Sequence, residues 1–550
     1  MTLGTVLRQR RLRARSDSES SAPPQPNDFV AASVIAAVFF AVSLLNVSAH
    51  ILWRDEIRIW QFATAASTFA EMHTFMQFEG TPCLWYGALW LVSRVTSNPL
   101  GMQLLHVLIA TATVFLFTWR APFSRAAKFL FPLGYFPLFE YAVISRNYGI
   151  ALLLVLCAAA LIGLPRRRPM MLACVLFLLT QTSIWGVGIA GVLFLSAVLE
   201  WTVFKPRERR MSWPSAIALS SVVVVGGALC YASSRPGPGP TLVGFWRDEV
   251  SFGTRLANTL GCVWKAWVPL PMPKRAYWNS NILDHLLVVR CTASCLLIAT
   301  SVLLFLRRPA ALVPLVIGSA GLLYFTLFHF LGSVRHDGLI FVLLIAAFWI
   351  GATATRISLP WPGVARLTTT LEAYGGPLLV LLLAVQAVAG VGSAVADHFL
   401  PFTAGKEVGE FVRRELPADA VLVGYEDYTA MTLGYYAGRP IYSVQVKAQG
   451  PFFTQDERLR IIGGAELLVA GVDRLLKEGD RDFVVFLCPH REVELTEWRD
   501  ENPDSPVSWE LIRRFDDSTI PDECTAVYRV RRHEAGAGVT VRARNGVRAS

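Results

Sequence analysis

The stretch FVAASVIAAVFFAVSLLNVSAHILWRDEIRIWQFA, Phe29–Ala63, decides the class of this chain. Its first part, Phe29–Ala49, carries no charge and matches the ~20-residue helix that crosses a hydrocarbon core about 30 Å thick. Lipid offers no partner to backbone N–H and C=O groups, so a spanning run of this kind has to be helical. Directly after it come Arg54, Asp55 and Glu56, charged residues at the edge of an apolar block. Upstream lies a Ser/Pro-rich tail, residues 1–27, with Arg8, Arg10, Arg11, Arg13 and Arg15; it reads as disordered, basic and cytoplasmic. Val47-Ser48-Ala49 imitates a cleavage site, but the run is long for a signal segment and reads as an uncleaved anchor.

The pattern recurs along the 550 residues, of which 53% are hydrophobic and 17% charged. Apolar blocks near 29–49, 99–119, 129–145, 148–163, 169–184, 186–204, 213–232, 283–306, 310–331, 338–355 and 375–397 predict about eleven transmembrane helices. A shorter aromatic block, Pro82–Val95, is expected to be interfacial or re-entrant. With that block not crossing, the basic loops at Arg120/Arg125/Lys128, Arg166–Arg168, Lys205–Arg210, Arg307/Arg308 and Arg356/Arg366 all fall on one side. That is the positive-inside signature. It accounts for the formal charge of +10 without a nucleic-acid partner. The nine Cys form no C-x-x-C pair and give no zinc spacing.

On this topology the N-terminus is cytoplasmic, and loops 50–81 and 233–282 lie outside together with everything after the last span. Residues 28–398 form an all-α polytopic membrane domain. Residues 399–532 change character: GKEVGEFVRRELP is amphipathic, while AVLVGY and RDFVVFLCP read as buried strands. They predict a small α/β extracytoplasmic domain, followed by a loose tail, 533–550. The chain is thus expected to be a multi-pass protein of a bacterial inner membrane.

Rare charges mark the candidate site. Asp55 and Glu56 follow the first span, and Glu79 precedes the block containing GTPCLWYGALW. Arg146 ends the third apolar block beside Tyr148, with Glu140 one to two turns earlier, and Arg335 and His336 fill a turn in LGSVRHDGLIF. All of them fall at the outer interface, where unpaired charge is expensive and therefore tends to be paired or functional. Acids and bases gathered at one level make a candidate active site.

In order and character, residues 28–205 resemble the GT-C superfamily of integral membrane glycosyltransferases, most of all its protein O-mannosyltransferase and aminoarabinose transferase branch. EGTPCLWYGALWLVS looks like the branch's His/Lys-Pro-Pro-Leu-x-Tyr segment, and PLFEYAVISRNYGIALLLVL like its Ser-Arg turn leading into the next span. The double Pro is reduced to Thr81-Pro82, Glu79 stands where a basic residue or His is common, and Asn147-Tyr148 replaces an acid. The resemblance implies a sugar donor on a polyprenyl phosphate, with a glycan, lipid or protein acceptor. Asp55 or Glu56 would serve as the base, in a direct displacement with inversion. Arg146 and Arg335 would hold the departing phosphate. His336, Tyr148 and Glu79 would line the substrate. Some relatives hold a divalent cation on such acids and others use none. A glycan ligase of the same envelope pathway and a lipid-linked-sugar transporter are the competing classes. The transporter is disfavoured by the lack of paired repeats with charged or broken mid-span segments.

Overall fold

The structure, a computed structural model, describes residues 26–77, 79–164, 166–204, 211–235, 250–425, 427–454, 463–478 and 482–532. The basic tails expected at 1–27 and 533–550 lie outside the described residues, apart from the start of the first helix at Pro26. The chain forms two compact units. One comprises Met1–Thr403 with Thr454–Arg458 and Ser518–Ile520; the other holds the rest of the C-terminal region.

In the first unit, eight helices among the described residues are long and apolar enough to cross a membrane. They are Asp28–Ala49, Leu100–Arg120, Ile184–Val203, Trp213–Ser234, Leu287–Phe305, Pro309–Phe328, Val334–Thr353 and Pro362–Phe399. Three of the eleven apolar blocks take other forms. Tyr148–Ile162 and Pro169–Thr180 are shorter apolar helices. Block 129–145 breaks into a 3-10 turn, Phe131–Leu133, and a π-helical stretch, Tyr135–Glu140. Pro132, Gly134 and Pro137 explain the break, because proline removes a helical donor and clashes with the preceding turn. Cys83–Ser93 has 11 residues, about 16 Å of helix, too short to cross. Part of the segment 233–282, expected as an outer loop, is an amphipathic helix, Phe252–Trp267, which buries Cys262, Val263, Ala266 and Trp267.

The best-buried span is Val334–Thr353. It lies so close to Phe136 and the Tyr141 hydroxyl that a Cβ on Gly338 would collide with both. Tyr141 donates from its hydroxyl to the Arg335 carbonyl at 2.6 Å. The glycine therefore lets the broken segment fasten the first turn of this span. The turn expected around Arg335 and His336 is helical: Ser333 is its N-cap residue, and the Ser333 N–H donates to His336 Nδ1 at 3.0 Å.

The second unit is an α/β layer structure. Its sheet has the order β3-β2-β1-β4-β6-β5, with β1 Val421–Gly424, β2 Ile441–Ser443, β3 Ala448–Gly450, β4 Phe483–Leu487, β5 Val507–Phe515 and β6 Thr525–Arg532. β1 runs parallel to β2 and β4, and the other pairings are antiparallel. Every residue of β4 is buried, and its alternation serves two cores. Phe483, Val485 and Leu487 pack with Leu468, Val469 and Val472 of helix Ala465–Glu478. Val484 and Phe486 pack with Val408, Phe411 and Val412 of helix Gly405–Glu415.

Candidate active site

After the first span, the chain turns at His50–Trp53 into helix Arg54–Ala65, whose first turn holds Asp55 and Glu56. Successive helical residues point about 100° apart, and these two acids enter different surroundings.

Glu56 is fully buried and saturated. Its Oε1 accepts the Ser145 N–H at 2.6 Å, and its Oε2 accepts the Trp53 N–H at 3.4 Å and faces His50 Nε2 at 3.1 Å. On the other side His50 Nδ1 meets Asp397 Oδ2 at 2.9 Å, at the far end of helix Pro362–Phe399. Burial alone would strip the proton from His50, but Asp397 and Glu56 outweigh it and raise its pKa to about 10. The imidazolium thus ties the start of helix Arg54–Ala65, the end of helix Pro362–Phe399 and the Ser145–Arg146 turn together.

Asp55 faces the opposing charges. Its Oδ2 lies 3.0 Å from Arg335 Nη1 and 3.7 Å from Arg146 Nη1, and its Oδ1 lies 3.9 Å from Arg58 Nη2. Arg146 Nη1 also donates to the Asp55 carbonyl at 3.0 Å. Burial pushes this carboxyl upward, yet Arg146, Arg335, Arg58 and Arg54 together hold it well below the ordinary carboxylate range. The Asp55 side chain is 12% exposed and that of Glu56 0%. Of these two adjacent acids, Asp55 is therefore the one that lines the cleft.

Arg335 lies with its guanidinium over the rings of Trp53 and Trp278, at 5.1 and 5.9 Å. Glu140, buried nearby, accepts from Trp278 Nε1 at 3.0 Å and from the Tyr135 hydroxyl at 3.1 Å. It anchors the indole wall. The Nε donors of both Arg146 and Arg335 are buried without an acceptor. Such orphaned donors are unusual in a protein interior and suit an incoming oxyanion. Arg58 pairs with Glu79 at 2.8 Å, and both line the cleft with Asp55, Trp85, Arg146 and Asn147. The Tyr148 hydroxyl meets His336 Nε2 at 2.8 Å. At about 10 Å³ the cleft has room for roughly one water.

All seven residues expected from the sequence fall in this region of the first unit. Asp55, Glu79, Arg146 and Arg335 form one charged cluster through Arg58. Tyr148 and His336 pair with each other, and Glu56 turns away into the His50 network. Sequence reasoning missed His50, Arg58 and Asp397. Arg58 stands one turn after Asp55, which was a usable signal. Asp397, a lone acid near the end of an apolar run, was another.

A divalent cation does not fit this donor set. Asp55 is ringed by guanidinium groups, and no group of three or more His, Cys, Asp or Glu residues that could hold a metal occurs among the described residues. Hard cations need several oxygen ligands.

No family model and no curated protein matches the sequence. Among solved structures, the chain is similar to a crystal structure of a protein bound to undecaprenyl phosphate. That protein is ArnT from Cupriavidus metallidurans, bound to undecaprenyl phosphate: 14% identity, TM-score 0.48, covering 90% of this chain and 97% of that one. Its apo state aligns at 14% identity and TM-score 0.49, covering 91% and 98%. The arabinofuranosyltransferase AftD from Mycobacteria aligns at 13% identity and TM-score 0.38, over 93% of this chain and 40% of that one. With every TM-score below 0.5, the functional reading rests on side-chain geometry and sequence motifs.

Proposed function

We propose that the chain is a GT-C-type membrane glycosyltransferase, which moves a sugar from a polyprenyl-phosphate donor to an acceptor on the non-cytoplasmic side of a bacterial inner membrane. One observation carries this reading: Asp55 sits between Arg146 and Arg335, arginines from two distant turns, with unfilled guanidinium donors beside it. The basic loops that the sequence assigns to one side of the spans favour a cytoplasmic N-terminus.

In the reaction, the acceptor hydroxyl or amine attacks the anomeric carbon as the bond from that carbon to the phosphate oxygen breaks. The bonding pair leaves on the phosphate, and the acceptor proton passes to Asp55. Arg146 and Arg335 take up the growing phosphate charge. Of the two cleft-lining carboxylates, Glu79 is held by Arg58 at 2.8 Å, which leaves Asp55 as the one base and favours direct displacement with inversion. Tyr148 and His336, which pair with each other next to Arg146 and Arg335 in the chain, would orient the sugar, and the Arg58–Glu79 pair lines the cleft.

The arginines give the base a built-in dependence on donor. With no phosphate present they hold Asp55 firmly ionised and make it a weak base. A bound phosphate shares their charge, which raises the proton affinity of Asp55. The acidic limb of kcat should therefore lie at higher pH than that of kcat/KM, since the first reports the complex and the second the free enzyme. Coincident limbs in the two profiles would refute this coupling. Chelation offers a second check, because chemistry run by arginines predicts that EDTA leaves turnover unchanged. A loss restored by a divalent cation would refute that.

The deciding experiment is turnover by the purified chain on a panel of polyprenyl-phosphate sugars, with Asp55→Asn as control. No transfer from any donor by a protein that binds none of them would end the proposal.

The His50 network predicts a stability effect separate from catalysis. A free imidazole loses its proton near pH 6.5, whereas His50 keeps it to about 10. Its stabilisation is therefore complete below about 6.5 and drains away as pH rises towards 10. His50→Ala leaves two buried carboxylates facing each other, a loss of roughly 3–5 kcal/mol. Thermal melts against pH should show a large deficit at pH 6 that narrows in alkali. An equal deficit at every pH would contradict a charged bridge.

A further inference from the structure

A second cavity, of about 180 Å³, opens at the other end of the same unit. Phe123, Phe305, Phe348 and Leu379 wall it, with Arg308 and Glu372 among its lining residues. Helix Val334–Thr353 relates the two sites: Arg335 is in its first turn, and the cavity residue Ala352 lies 17 positions later, about 25 Å along the axis. This end also carries Arg120, Arg307, Arg356 and Arg366, where headgroups of the basic-side leaflet lie.

The Glu372 side chain is 10% exposed, in a largely apolar cavity. Its Oε2 is approached loosely by Arg356 Nε at 3.6 Å and Arg308 Nη2 at 3.9 Å. Its Oε1 is buried with no hydrogen-bond partner. A buried carboxylate oxygen without a donor is costly, and its residue lines a cavity large enough to admit one. The neighbouring Gly376 keeps that space clear, since a Cβ there would meet nothing within 4 Å.

We propose that this cavity binds a phospholipid with a primary ammonium headgroup, drawn from the leaflet on the basic side of the protein. The ammonium donates to Glu372 Oε1, the phosphodiester lies against Arg308 and Arg356, and the aromatic wall takes the first methylenes. An anionic headgroup such as phosphatidylglycerol offers hydroxyl donors but no cation, and its net negative charge meets that of the carboxylate. A trimethylated one offers no N–H and is bulkier. The site stands whether or not the transferase reading holds.

The test uses the full chain, reconstituted with phosphatidylethanolamine, its mono- and dimethyl derivatives, phosphatidylcholine or phosphatidylglycerol. Lipid retention is read by native mass spectrometry and thermal stability by melting. Retention and Tm should fall stepwise with each added methyl group, with phosphatidylethanolamine preferred over phosphatidylcholine roughly tenfold, as a charge-assisted hydrogen bond supplies. Glu372→Gln should abolish that preference, and Gly376→Leu should lower retention of all of these lipids. Equal retention across the methyl series by the unaltered protein overturns the proposal without reference to any variant. So does an undiminished preference in Glu372→Gln.

Discussion

Replacing Asp55 with asparagine should yield a folded protein in which sugar transfer falls by roughly 10²–10⁴-fold, the range for loss of a general base. The geometry adds a second signature. Asp55 competes with the donor phosphate for Arg146 and Arg335, so its neutralisation should lower the donor KM while kcat collapses. A merely structural carboxylate would raise KM or lower the yield of folded protein. Glu56→Gln supplies the contrast one residue away. Buried against His50 and the Ser145 N–H, it should lower Tm more than Asp55→Asn does. Full turnover by Asp55→Asn, measured per mole of monodisperse protein, would remove Asp55 from the chemistry.

The second large effect belongs to the arginines. Arg335→Ala should cost about 10²–10³-fold in kcat/KM, the scale for loss of one positioned electrostatic donor, mostly through the donor requirement. Arg335→Lys should recover part of this, since lysine restores charge but not the planar fork. Arg146→Ala should lose at least as much, because Arg146 also holds the Asp55 carbonyl at 3.0 Å. The double variant should lose less than the product of the two, as both act on one phosphate. Unchanged donor dependence in both single variants would count decisively against the phosphate role.

The membrane architecture was legible because apolar blocks and basic loops are local signals. The charged cluster was legible for a related reason: Asp55, Arg146 and Arg335 stand out against apolar surroundings. Which of two adjacent acids faces the cleft was not, because that depends on the rotation of helix Arg54–Ala65 against its neighbours. The bridge from Glu56 through His50 to Asp397 joins positions 347 residues apart at its longer link, beyond the reach of any sequence period. Block 129–145 failed as a continuous span for a reason already present in it. Its hydrophobicity was read, while the breaks at Pro132, Gly134 and Pro137 were passed over. Arg335 and His336 were placed in a turn, where the Ser333–His336 interaction in fact starts a helix.

The paired guanidinium groups around Asp55 also bear on how a catalytic cycle would close. A sugar-loaded carrier presents a phosphodiester with a single negative charge, whereas the spent carrier is a monoester with roughly one and a half to two at neutral pH. Arg146 and Arg335 would grip the spent carrier harder than the loaded one. Departure of the emptied lipid, rather than bond breaking, would then set the pace, and its accumulation in the surrounding membrane would throttle the enzyme.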